Sequence, residues 1–186
     1  MKNVVVFGGS GFLGSHVCDK LMESGYNVTV FDKSESEFIK GKHNIVIGDI
    51  LSEEKVSKAV ENANIVFNFA GLADINLAES DPIATVRYNI LGNTIILEAC
   101  RKAGIERYIF ASSVYVYSSF GGFYRCSKQA CELYIESFHE IYNLNYTILR
   151  YGSLYGPRSD MSNGIYRFIN QALTDKKMIF KGKADS

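Results

Sequence analysis

Residues 4–14 of this 186-residue chain read Val-Val-Val-Phe-Gly-Gly-Ser-Gly-Phe-Leu-Gly. The apolar, β-branched start predicts a buried strand, and the glycines fall where a helix is predicted to begin. A side chain at the tight turn would keep the backbone away from a pyrophosphate, whose charge lies against the free amides of a helix N-terminus. The stretch therefore predicts a dinucleotide site. Its cofactor-binding residues are predicted to be Gly8, Gly11, Phe12, Leu13 and Gly14.

Short apolar runs alternate with amphipathic stretches along the rest of the chain. Strands are predicted at residues 3–7, 27–31, 44–47, 64–69, 107–111 and 146–150. Helices are predicted at residues 11–24, 82–103, 123–142 and 164–173. Strands that alternate with helices indicate an α/β fold, a doubly wound parallel sheet of the Rossmann type with helices on both faces.

The composition narrows the class of protein. Twenty Lys and Arg balance twenty Asp and Glu, so no net basic field favours nucleic acid or an anionic membrane. No apolar run approaches the ~18 residues needed to span a bilayer, and we expect a cytoplasmic protein. The four cysteines form no Cys-x-x-Cys pair and the histidines do not cluster, so no metal site is predicted.

Acidic and small residues follow the predicted strands where a dinucleotide would pass. Asp32 ends the second strand, where a carboxylate accepts hydrogen bonds from the adenosine ribose and repels a 2′-phosphate. This favours NAD over NADP, although the ammonium of Lys33 could support phosphate binding. Asp49-Ile50, after the third strand, is a candidate to border the adenine. Ala70-Gly71, after the fourth, is a candidate to line the cofactor site with small residues that leave room for the dinucleotide.

Tyr124 and Lys128 are one helical turn apart and project from one face of a predicted helix. A free phenol is a poor base at neutral pH, but a nearby ammonium and a positive nicotinamide ring would favour the phenolate. Tyr124 is thus a candidate general base, and Lys128 is the candidate residue that lowers the pKa of Tyr124. Ser112 and Ser113 end the fifth predicted strand, at the edge where open α/β sheets bind ligands, and a hydroxyl there can hold a reacting oxygen.

At these residues the chain resembles the extended short-chain dehydrogenase/reductase family, in its nucleotide-sugar epimerase and dehydratase branch. The similar segments are the glycine loop, Asp49-Ile50, residues 89–94, residues 110–117, the Tyr-x-x-x-Lys motif at Tyr124 and Lys128, and residues 149–157. The resemblance assigns the catalytic serine to Ser113 and adds Asn89 and Tyr151 to the cofactor site. It implies that Ser113, Ser153, Asn163 and Arg167 bind a nucleotide-sugar substrate.

The family chemistry implied is transient oxidation of a sugar hydroxyl, with Tyr124 as base and NAD as hydride acceptor. Dehydratases of this branch carry Asp-Glu after the catalytic position, whereas Ser113 is followed by Val114-Tyr115. An epimerase is therefore preferred. A keto-sugar reductase, a 4,6-dehydratase and a non-catalytic dinucleotide-binding protein remain alternatives.

Two departures bear on the substrate. The link between Tyr117 and Tyr124 is short, and Ser153 stands where many relatives have a phosphate-contacting Asn. Relatives also continue well beyond the length of this chain. We therefore expect an NAD-binding domain at residues 1–158 and the start of a truncated substrate domain at residues 159–186. Residues 178–180 are expected to form a strand without partners. We also expect this chain to turn over nucleotide sugar slowly. The resemblance also implies a homodimer, because the family pairs its protomers through two long helices, here those predicted at residues 82–103 and 123–142. The alternative is that the second apolar faces of these helices cover the chain's own sheet.

Overall fold

The computed structural model describes residues 1–39, 41, 44–176 and 179. Six strands are present in the described part: β1 (Asn3–Phe7), β2 (Asn27–Asp32), β3 (Asn44–Ile47), β4 (Ile65–Asn68), β5 (Arg107–Ser113) and β6 (Tyr146–Tyr151). The helices there are α1 (Phe12–Glu23), α2 (Glu53–Val60), α3 (Ile75–Ser80), α4 (Pro82–Thr85), α5 (Gly92–Ala103), α6 (Gly122–Tyr142) and α7 (Gly164–Thr174).

The six strands form one parallel sheet in the order β3-β2-β1-β4-β5-β6. The chain order reverses between β1 and β4, and in open α/β sheets such a reversal opens a crevice at the carboxyl ends of the strands. The predicted doubly wound parallel sheet is confirmed. The glycine loop leaves β1 at this reversal.

Alternate side chains of β1 enter two separate cores. Val4 and Val6 pack with Cys18 of α1 on one face of the sheet. Val5 and Phe7 join Ile96 of α5 on the other face. Burying such a side chain fully contributes about 1.5–3 kcal/mol, so helices on both faces explain why every residue of β1 after Asn3 is apolar.

The helix predicted at residues 82–103 is interrupted. Asp81 caps α4, its Oδ1 accepting from the Ala84 amide at 2.8 Å, and a π-helical segment, Val86–Leu91, then separates α4 from α5. Single π turns inside helices are rare, and they re-aim the residues that they contain. Here the segment carries Asn89 into the interior, where its carbonyl oxygen accepts from Cys131 Sγ at 3.1 Å.

The chain divides into two compact units, Met1–Gly152 and Ser153–Ser186. In the second unit, Asn163 caps α7 by accepting from the Tyr166 amide at 3.0 Å, and its Nδ2 donates to the Leu154 carbonyl at 2.6 Å. The strand predicted at residues 178–180 lies outside the described residues, apart from Ile179. A domain boundary after residue 158 stays a prediction.

None of the helices in the described part of the chain combines the length and the hydropathy that a membrane-spanning helix needs. The same residues include no group of three or more His, Cys, Asp or Glu placed to hold a metal ion.

Candidate cofactor and active site

The glycine loop crosses directly over the end of β4. Gly8 adopts φ +75°, a conformation that favours glycine, and its amide donates to the Phe31 carbonyl at 2.9 Å. A Cβ on Gly8 would lie 2.7 Å from both the Ala70 nitrogen and the Phe69 carbonyl carbon. Only glycine therefore lets the loop run this close to the sheet.

The N-terminus of α1 presents bare backbone amides. Gly11 is the N-cap residue, no side chain caps it, and no acidic residue lies in the first turn. The first intrahelical bond runs from the Ser15 amide to the Gly11 carbonyl at 3.0 Å, so the amides of the first turn before Ser15 have no helical acceptor. These amides belong to Phe12, Leu13 and Gly14. Uncapped amides and the helix dipole favour an anion such as pyrophosphate.

Asp32 is fixed at the end of β2 beside this loop. Its Oδ2 accepts from the Ser10 amide at 3.0 Å and its Oδ1 from the Lys33 amide at 2.7 Å. The Ser10 hydroxyl also donates to the Ser34 carbonyl at 2.6 Å. The carboxylate thus holds the glycine loop in addition to facing the crevice edge.

The Lys33 ammonium is already engaged. Its Nζ lies 3.4 Å from Asp49 Oδ2 and 3.7 Å from the centroid of the Tyr88 ring. Asp49 is itself held by the Leu51 amide, which donates to Oδ1 at 2.9 Å. A lysine paired in this way is less able to attract a 2′-phosphate, so the geometry favours NAD over NADP at this end of the site.

Ile50 and Gly71 are held by packing. The Ile50 side chain is buried in the core and lies against the backbone of Gly92. Gly71 follows Ala70 with φ +142°, and a Cβ there would lie 2.6 Å from Asn89 Oδ1. Small residues are therefore required where the chain leaves β4.

Asn89 connects this loop to the helix that carries the tyrosine motif. Its Oδ1 accepts from the Leu72 amide at 2.7 Å, and its Nδ2 donates to the Leu72 carbonyl at 3.1 Å and to Ser127 Oγ at 2.8 Å. The Ser127 hydroxyl in turn donates to the Tyr124 carbonyl at 2.8 Å. The Asn89 amide is thus occupied by protein partners, and any part it takes in the cofactor site comes through the position of the 70–72 loop.

The candidate catalytic side chains meet at the carboxyl end of β5. Ser113 pairs in register with Tyr151 of β6, and its Oγ accepts from the Tyr115 amide at 3.3 Å. Lys128 is buried, and its Nζ donates to the Ala111 carbonyl at 2.8 Å and lies 5.7 Å from the centroid of the Tyr124 ring. The structure therefore brings the predicted serine, tyrosine and lysine together.

The ionisation of these groups follows from their burial. Desolvation raises the pKa of Tyr124, and hydrogen bonding to the Ser113 side chain offsets part of that rise. Desolvation lowers the pKa of Lys128, and the nearby Cys131 and Glu132 side chains oppose that fall. Burial by itself therefore favours the neutral phenol of Tyr124.

Three predicted substrate residues belong to the second unit. Ser153 begins it. Asn163 caps α7 with Oδ1 and donates Nδ2 to the Leu154 carbonyl, and Arg167 follows on α7, with its guanidinium 6.0 Å from the Phe168 ring centroid. Their roles in substrate binding stay predictions.

Comparison with known proteins gives a family match over nearly the whole chain. The model of the NAD dependent epimerase/dehydratase family matches residues 4–186. The chain belongs to this family of enzymes. The predicted resemblance and the prediction of NAD as cofactor are confirmed at the level of the family.

Individual relatives agree with the family match. A UDP-glucose 4-epimerase from Thermotoga maritima, solved with UDP-glucose, superposes with a TM-score of 0.90 at 28% identity over 98% of this chain and 66% of its own. The Thermus thermophilus UDP-glucose 4-epimerase, solved with NAD, has a TM-score of 0.85 at 30% identity over 93% of this chain and 63% of its own. The mouse dTDP-D-glucose 4,6-dehydratase is 28% identical over 97% of this chain and 58% of its own length. The chain thus spans less than two thirds of the length of these relatives.

Glu132 and Arg150 lie directly behind the tyrosine motif, and the sequence alone did not single them out. Glu132 is buried one turn after Lys128, and it is paired with Arg150 at the end of β6. The spacing of four residues from Lys128 was a usable signal, because it places a carboxylate on the buried face of α6.

Proposed function

We propose that this chain carries the NAD-binding and proton-transferring part of a nucleotide-sugar epimerase. The observation that supports it best is the meeting of Ser113, Tyr124 and Lys128 at the carboxyl edge of β5, on the sheet whose glycine loop suits a dinucleotide. A protein that only sensed the dinucleotide would have no use for these three groups together.

The residues of the loop fit NAD. Gly8 lets the loop pass close to the end of β4, and the bare amides at the start of α1 suit a pyrophosphate. The Asp32 carboxylate can accept hydrogen bonds from the adenosine ribose hydroxyls of NAD. In NADP a phosphate group replaces the 2′-hydroxyl, and the carboxylate would repel it. When bound, NAD supplies an acceptor for a hydride from the sugar carbon and returns the hydride later.

The chain's own groups then handle the proton. Tyr124 takes the proton from a sugar hydroxyl while Ser113 hydrogen-bonds the same oxygen, and a keto-sugar results. Lys128, anchored on the Ala111 carbonyl, adds positive charge that favours the phenolate form of Tyr124. Tyr124 would give the proton back to the same oxygen once the keto-sugar has turned over in the site and is reduced on its opposite face, and the carbon would then be inverted.

The sequence around Ser113 favours epimerisation over dehydration. Val114 and Tyr115 follow it in the structure as a 3₁₀ turn and offer no carboxyl group to remove a proton from the sugar and protonate a leaving hydroxyl. The test is to load the chain with NAD, add UDP-glucose and follow the appearance of its 4-epimer by NMR. We expect inversion without net consumption of NAD or NADH.

The Tyr124→Phe variant should lower the inversion rate by about 10²–10⁴-fold, because it removes the proton acceptor and leaves the ring packing intact. Tyr142→Phe, at the exposed last position of the same helix, is the matched control and should keep the parent rate. An unchanged rate in Tyr124→Phe would refute the base assignment. A stoichiometric requirement for NADH would identify a reductase instead.

We further propose that the chain forms a homodimer. The segment 82–91 and helix α6 both expose large apolar side chains, which in a monomer would face water. These are Ile83, Val86, Leu91, Leu133, Tyr134 and Ile141. Light scattering should give a dimer for the parent and a monomer for Val86→Glu/Leu133→Glu; a monomeric parent would refute this. Residence in the cytoplasm stays a prediction.

A further inference from the structure

A buried carboxylate lies behind the candidate catalytic residues. The Glu132 side chain is 9% exposed, and both of its oxygens are used. Oε1 accepts from the Ser112 hydroxyl and from Arg150 Nε at 3.0 Å, and Oε2 accepts from Arg150 Nη2 at 2.7 Å. The arrangement is a two-pronged Arg–Glu pair with one extra hydroxyl, which fixes direction as well as distance.

The guanidinium extends the connection to the turn after β5. Arg150 Nη1 donates to the Tyr117 hydroxyl, and the guanidinium carbon lies 4.9 Å from the centroid of the Tyr117 ring. Tyr117 is the last residue of the 3₁₀ turn Val114–Tyr117 that begins directly after Ser113. One carboxylate thereby joins α6, the end of β5, the turn that follows and the end of β6.

Each partner is the neighbour of a residue assigned to the site. Ser112 precedes Ser113, Arg150 precedes Tyr151, and Glu132 lies one helical turn after Lys128. Because side chains alternate across a strand, the network holds each strand from behind while the next residue projects from the other face.

Stability alone does not explain a pair of this kind. Removing two charges from water costs several kcal/mol per ion, and well-packed apolar residues of similar size are often as stabilising or more so. The hydrogen bonds to Ser112 and Tyr117 are what apolar replacements could not reproduce.

We propose that Glu132 and Arg150 are positioning residues that hold Ser113 and the Val114–Tyr117 turn in register with Tyr124 and Lys128. The proposal rests on the proposed function, since it assigns a purpose to the placement of those catalytic groups. A displacement of about 1 Å at a reacting group is enough to lower a rate by about 10²-fold.

The test is the double variant Glu132→Leu/Arg150→Met in the full chain. It removes both charges together, so neither is left buried and unpaired. We expect a thermal midpoint close to that of the parent, an NAD affinity within about threefold, and a kcat for UDP-glucose inversion lowered about 10- to 100-fold with little change in KM. The glycine loop lies on β1 and α1, outside the network, which is why NAD binding should persist.

The matched control is Glu98→Leu/Arg101→Met on α5. That pair has the same two-pronged geometry, with Arg101 Nε and Nη2 donating to Glu98 at 2.7 and 2.6 Å, but touches no residue of the site. It should leave kcat unchanged. A folded Glu132→Leu/Arg150→Met variant with the parent kcat would overturn the proposal.

A crystal structure of the same double variant separates this proposal from the proposed function. We expect Ser113 Oγ and the Val114–Tyr117 turn to move relative to Tyr124, and superposition on the parent would overturn the positioning role. If the parent binds NAD but inverts no UDP-glucose, the proposed function fails, and the structure of the variant still decides whether Glu132 and Arg150 position the turn.

Discussion

Gly14→Ala is the substitution whose cost follows most directly from the structure. An added Cβ would overlap the Gly8 carbonyl oxygen and lie 2.8 Å from Gly9 Cα, where ordinary contacts are 3.4–4 Å. Both neighbours are backbone, which cannot rotate away, so the first turn of α1 must separate from the glycine loop. Overpacking costs 1–3 kcal/mol, and a rigid clash belongs at the upper end. We expect a loss of about 3 kcal/mol in unfolding free energy.

Urea unfolding and NAD titration of the same samples check this reasoning. Because the amides of the α1 N-terminus move away from the loop, NAD affinity should fall by at least about tenfold. Two other glycine-to-alanine substitutions serve as controls for the steric clash. Gly11→Ala meets only the Gly8 carbonyl, at 3.3 Å, and Gly164→Ala meets nothing within 4 Å, so each should change stability by less than about 1 kcal/mol. Gly11 belongs to the predicted cofactor loop, so Gly164→Ala alone is the control for the NAD titration. If Gly14→Ala matched both controls in urea and Gly164→Ala in NAD affinity, the packing argument would be refuted.

Three further outcomes are expected. Asp32→Asn should reduce the preference for NAD over NADP by about fivefold to tenfold in fluorescence titrations, because it removes the charge that repels a 2′-phosphate; unchanged selectivity would contradict this. Asn89→Leu should lower the unfolding free energy by about 2–3 kcal/mol in urea, since the part-buried amide and carbonyl of Leu72 and the buried hydroxyl of Ser127 lose a partner. Arg101 holds the pKa of Glu98 down to about 2, from 4.5, so this carboxylate stabilises the fold above pH 4.5 and loses its contribution as pH falls towards 2. Glu98→Gln should therefore cost up to about 0.5 kcal/mol at pH 7 and nothing at pH 2, in thermal unfolding at both pH values.

The element pattern could be read from the sequence where local signals are strong. The apolar run before Gly8 predicts β1 with the bounds that the structure has, and the predicted helix at residues 123–142 matches α6 to within one residue. Helices α2 and α3 were not identified, because each spans only two turns or so and shows too few apolar repeats. The π-helical break at Val86–Leu91 was also not predicted, since the segment contains no Pro or Gly that would mark a break in the sequence.

The candidate site divides in the same way. Gly8, Asp32 and the pair Tyr124 and Lys128 carry local spacing that the physics of turns and helices makes informative. The engagement of Lys33 by Asp49 and Tyr88 could not be predicted, because it joins residues far apart in the chain. Sequence spacing left open whether Lys33 would accept a phosphate, and the fold supplied its partners.

The alternation of strands and helices, the glycine requirement of the first turn and the residue types available for proton transfer are local properties of the sequence, because each depends on neighbours within a few positions. The fold places Ser113 beside Tyr124, pairs Glu132 with Arg150 and, through burial, raises the pKa of Tyr124. Those facts depend on which strands lie next to each other and on how much water they exclude. Parallel pairing of β5 with β6 brings together residues that no local pattern connects.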